Sequence, residues 1–155
     1  MGTRIIIKGA DFSKCAVGSE DVTPTEVFVG TNQSLWGNAD REINSGAFGF
    51  KSSVGGTVTG FTIKAENPGN VNVVVCDDSG VIYQSGSVAV SVGTGTYNIN
   101  PIPVVSGQYV GLLFSTYVCK YKYEGSGDVQ TYTLSGIPQA DSPIRIYPFN
   151  IIISH

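Results

Sequence analysis

The sequence predicts an all-β domain, a sandwich or barrel of short antiparallel strands. Three observations predict it. Windows such as Val71–Val75 and Val88–Val92 alternate with period two and are rich in β-branched residues. Turn signals recur about every ten residues, the spacing of such folds: Gly55-Gly56, Asn67-Pro68-Gly69-Asn70, Asp77-Asp78-Ser79-Gly80, Gly93-Thr94-Gly95, Asn100-Pro101, Ser106-Gly107 and Gly125-Ser126-Gly127-Asp128. No stretch carries apolar residues at helical spacing over three turns. At 155 residues and 41% hydrophobic, the chain can form one domain with a packed core and needs no staple to fold. Charged residues are scarce at 14%, against about 25% in an average domain.

Arg4–Lys8 reads as a short first strand and Thr25–Val29 as a second. Ala47–Ser52 places Phe48 and Phe50 on one face. In Gly56–Glu66, alternation sets Val58, Gly60, Thr62 and Lys64 on one side and Phe61, Ile63 and Ala65 on the other. Asn70–Cys76 and Val81–Gln84 flank the Asp78-Ser79-Gly80 turn as a hairpin. Ser87–Val92, Gly95–Ile99, Tyr109–Ser115, Val118–Glu124 and Gln130–Leu134 follow. Ile144–Ile153 closes the series, interrupted at Pro148. Residues 1–45 hold few apolar runs and read as an arm or anchoring segment. Residues 46–155 form the sandwich with a carboxy-terminal edge segment, since Pro138, Pro143 and Pro148 suit an edge strand or a segment docked on a neighbour.

Composition excludes several classes of function. Nine basic against twelve acidic residues, with no Lys/Arg cluster, lack the electrostatic footprint of a nucleic-acid binder. No apolar run approaches the length of a membrane span, and the three-residue run Ile5-Ile6-Ile7 is too short for a secretion signal. Three cysteines without a CxxC and a single His offer no zinc site. Cys76 and Cys119 lie in apolar surroundings and read as small buried hydrophobes.

Reactive chemistry is equally sparse. The lone imidazole, His155, cannot serve a nucleophilic triad without partners, and no GxSxG elbow is present. Glu66, Asp77, Asp78, Glu124 and Asp128 are the carboxylates a glycosidase would need, yet all fall in or beside turns. Asp77-Asp78 and Glu66-Asn67 could offer oxygens to Ca²⁺ or simply cap their own turns. No catalytic residue, cofactor or metal is therefore assigned.

Binding candidates are aromatic and aliphatic. Tyr117, Tyr121 and Tyr123 share a parity with Cys119, while Val118, Lys120 and Lys122 share the other. The tyrosines are either a sugar-stacking or subunit-contact face, or the core side of a half-buried strand. Trp36 lies outside the strand pattern and is either an exposed anchor or a buried pin. Ile5, Ile6 and Ile7 are candidates for contact with a neighbouring chain. Asn32-Gln33-Ser34 matches a glycosylation acceptor.

Two resemblances complete the reading. Gly56-Thr57-Val58-Thr59-Gly60-Phe61, Pro68 through Val75, the Asp78-Ser79-Gly80 turn and Val104 through Leu112 resemble jelly-roll modules of the galactose-binding-like type. This resemblance implies a jelly-roll antiparallel β-sandwich and a carbohydrate-binding capacity. Ile5 through Ser13 resembles the opening of small surface and tail-associated proteins of gut bacteria and their bacteriophages. It implies a non-enzymatic virion structural protein, a capsid decoration, head-fibre or tail-associated subunit, on the virion surface. Its partners would be other virion proteins and copies of itself, a trimer among the closed forms. The alternative is a module that attaches to a glycan on a bacterial cell surface. Neither reading involves nucleic acid or a membrane.

Overall fold

The computed structural model describes residues 25–37, 39–123 and 129–155. Among them are fourteen strands, β1 (Glu26–Gly30), β2 (Arg41–Glu42), β3 (Gly46–Lys51), β4 (Gly56–Ala65), β5 (Gly69–Asp77), β6 (Gly80–Gln84), β7 (Val88–Val90), β8 (Gly93–Val104), β9 (Tyr109–Phe114), β10 (Lys120–Tyr123), β11 (Thr131–Thr133), β12 (Gln139–Ala140), β13 (Arg145–Ile146) and β14 (Phe149–Ser154). The only helical element described is one 3-10 turn, Gln33–Leu35. The expected strand Arg4–Lys8, and with it Ile5, Ile6 and Ile7, lies outside the described residues.

One sheet runs β1-β14-β4-β8 and the other β12-β11-β3-β9-β5-β6, with β7 also on β5; every pairing is antiparallel. The long strands β3, β4, β5, β8 and β9 alternate between the two sheets, so the chain winds around the core. A small third sheet, β13-β10-β2, sits beside them. The protein is thus the all-β antiparallel sandwich that the alternating segments predict.

The core lies between the sheets. Phe50, Val71, Val73, Val75, Val110, Leu112 and Phe114 meet Val58, Phe61, Ile63, Ile151 and Ile153, and all are buried. Each such side chain contributes roughly 1.5–3 kcal/mol on leaving water. A smaller cluster of Ala47, Val74, Cys76, Tyr109 and Leu134 covers the other face of the second sheet. Burial on both faces explains the unbroken apolar run Val73-Val74-Val75-Cys76.

Four local expectations change. Val58 faces the core with Phe61 and Ile63, because a bulge places one more residue on β4 than on β14 between Val58 and Gly60. Asn100-Pro101 is no turn; β8 runs through it, as an edge strand at an irregular register can tolerate proline. Within the segment read as an arm or anchor, β1 is a strand of the first sheet, paired with β14 from Glu26 to Gly30. The closing strand is not an edge: β14 lies between β1 and β4, which is why Phe149 through Ile153 are all buried.

Candidate functional site

The predicted tyrosine face divides. β10 is only four residues long, and Val118 and Cys119 before it are both buried, so strand alternation does not extend back to Tyr117, which is half-buried. Tyr121 packs against the main core, its ring 6.0 Å from that of Tyr147. Tyr123 is exposed at the rim. The Arg41 guanidinium lies 4.7 Å from the Tyr123 ring centre, and that of Arg145 lies 5.1 Å from both the Tyr121 and Tyr123 rings. Burial raises the Tyr121 pKa, whereas the hydrogen bond with Tyr121 and the Arg145 charge lower that of Tyr123.

Arg145 is oriented from behind. Its Nη2 donates to the Tyr123 hydroxyl at 3.2 Å, while the Tyr147 hydroxyl donates to Asp141 Oδ2 at 2.8 Å. Thr131 and Thr133 hydroxyls also donate to Asp141, each at 2.8 Å. Burial, then the Asp141 charge, pushes the Tyr147 phenol well above its usual range. This buried network fastens the segment after β12, which includes a cis Ser142–Pro143 peptide, onto β11.

Trp36 is the buried pin. It is 2% exposed, and its indole donates to the Thr31 carbonyl at 3.0 Å. Asn32 caps the 3-10 turn by accepting from the Ser34 amide at 2.9 Å. Asp77 likewise caps its own hairpin, accepting from the amide and hydroxyl of Ser79 at 2.8 and 2.6 Å, and those bonds hold its pKa low. Asp78 accepts from Tyr109 at 3.4 Å, and Glu124 and Asp128 lie outside the described residues. Cys76 and Cys119 are buried, as their apolar neighbours predict, and both are free thiols. Burial, with the Asp77 charge adding, pushes the Cys76 thiol up to about 11, so it is not a thiolate at neutral pH.

Two surfaces stand out that the sequence reading missed. At the end of the second sheet, β6 leaves Val81, Ile82 and Tyr83 exposed at 48%, 39% and 46%. The Gly136 carbonyl approaches Gly80, bringing the turn with exposed Ile137 to the start of this strand. On the outer face of the first sheet, exposed Phe28 overlooks a cleft between the end of β1 and the 3-10 turn. The apolar composition of Val81-Ile82-Tyr83 was legible, but its place at a sheet edge was not. No family model, curated protein or solved structure matches the chain.

Proposed function

We propose that this protein is a non-enzymatic structural subunit of a bacteriophage particle, a capsid decoration, head-fibre or tail-associated protein, that acts by assembling with its neighbours on the virion surface. The β6 edge carries the assembly reading. A terminal strand presents open backbone donors and acceptors, and native proteins usually guard it with charge, proline or a covering element. Here Val81, Ile82 and Tyr83 stand at that edge instead. A strand from a neighbouring copy would continue the sheet and cover them. The phage setting rests on the resemblances of Ile5 through Ser13 and of the jelly-roll segments. A closed homo-oligomer, a trimer in the simplest form, follows from repeated placement on a particle.

The test is light scattering on the full chain at about 100 µM, since assembly depends on protomer concentration. The expected result is an oligomer that Ile82→Lys converts to a monomer with an unchanged melting temperature. A monomeric parent chain sinks the assembly reading. Quantitative mass spectrometry of purified virions checks the setting, and absence of the chain from them sinks it.

A second reading, attachment to a cell-surface glycan, is favoured by Phe28, an aromatic ring 59% exposed beside a polar cleft.

A further inference from the structure

We infer that the cleft at the end of β1 is a binding site for one uncharged sugar ring, presented on the outer face of the first sheet. The inference rests on the glycan-attachment reading and names its residues and ligand class. Strand parity builds the site. Val27 and Val29 pair with core residues Ile153 and Ile151, so Glu26 and Phe28 take the outer side. Gly30 stands opposite Asn150, which stands opposite Thr62, whose hydroxyl is bonded to that of Thr96 at 3.0 Å. A Cβ at Gly30 would meet the Phe50 ring at 2.9 Å and Asn150 at 3.0 Å, and its φ of +150° suits glycine. The chain then turns through Thr31, Asn32 and Gln33, and these residues with Phe28, Gly30 and Asn150 line a cleft of about 260 Å³. That space equals roughly nine waters at about 30 Å³ each, room for a single ring.

Two buried polar groups in this lining lack partners. Asn150 is 7% exposed and Thr31 is 2% exposed, yet Asn150 Oδ1 and Thr31 Oγ1 receive or give no hydrogen bond. A buried polar atom left unpaired is costly, and a small rotation of either side chain toward the cleft would let a ligand hydroxyl pair it. Phe28 supplies the complementary surface, since the face of an aromatic ring accepts the C–H face of a sugar while amides bond its hydroxyls. No lining residue is charged, and Glu26 lies on the same face two residues away. Acidic sugars would lose their hydration without gaining a cation, so the site selects neutral ones. A site this small binds weakly, and repeated copies on an assembly would raise its avidity.

The chain carries its own reporter. Trp36, its one tryptophan, is bonded to the Thr31 carbonyl, so occupancy should alter its emission. The full chain is titrated with lactose, maltotetraose and triacetylchitotriose, and with trigalacturonate and sialyllactose. The expected result is a Trp36 response to a neutral saccharide with a Kd of about 1 mM or tighter. Phe28→Ala should weaken it about tenfold with an unchanged melting temperature, and Gln33→Ala should weaken it too. Preference for the acidic saccharides, or binding undiminished by Phe28→Ala, overturns the inference. A saccharide retained on an affinity column without any Trp36 response removes this cleft but leaves glycan attachment standing. Binding of no saccharide at all removes both.

Discussion

Asp141 accepts hydroxyl bonds from Thr131, Thr133 and Tyr147, and its backbone amide donates to the Thr131 carbonyl at 2.9 Å. A buried carboxylate is tolerated here because every bond it accepts replaces one from water. Asp141→Ala would leave three hydroxyls without their acceptor, and we expect a loss of about 3 kcal/mol in urea unfolding. Asp141→Asn keeps an acceptor oxygen and should lose less. None of this was legible in the sequence, where Asp141 sits among turn formers Ala140, Ser142 and Pro143. Its partners come from β11 and from Tyr147, and only folding brings them together. The same limit hid the cleft beside Phe28, since the approach of Gly30 to Asn150 requires β1 to pair with β14. Trp36 was legible as an outlier, but its burial was not.

Among elements, β3 and β9 meet where glycine faces glycine. Gly49 stands opposite Gly111; a Cβ on the first would collide with the Val110 carbonyl, and on the second with the Phe48 carbonyl. Gly49→Val should therefore cost more than about 3 kcal/mol, because the Val110 and Gly111 atoms it would strike are backbone and cannot give. Gly37→Ala is the control: a Cβ there meets nothing within 4 Å, and its effect should stay within about 0.5 kcal/mol. Thermal unfolding followed by circular dichroism checks both. Strand existence was largely legible, because alternating β-branched segments and Gly, Asn and Asp turns report local conformation directly. Register was not. The bulge that returns Val58 to the core and the irregularity that carries Pro101 through β8 depend on what each strand pairs with. The closing strand was misplaced for a related reason. Three prolines nearby argued for an edge, whereas the unbroken run Ile151-Ile152-Ile153 reflects cover on both faces.

At the scale of the whole molecule, the first sheet depends on its last strand. β14 pairs with β1 on one side and β4 on the other, and it brings Phe149, Ile151 and Ile153 into the core. Removing residues 149–155 should abolish the cooperative transition, because the deletion strips the core and leaves two unpaired edges. A chain truncated after Pro148 that still melts in a sharp transition would contradict this. Alternation and turn spacing made the fold class legible, but sheet order comes from contacts between distant segments and has no local signature.

The pairing of Glu26 with Ser154 also bears on how the protein is made. β1 leaves the ribosome before every other described strand and β14 after them, so the sheet cannot close until all of them have emerged. Until then β1 and β4 each wait with a bare flank, in a nascent chain open to mispairing. Such a topology favours slow maturation, and a holdase that shields β1 should raise the yield of native protein more than one that acts on the finished fold.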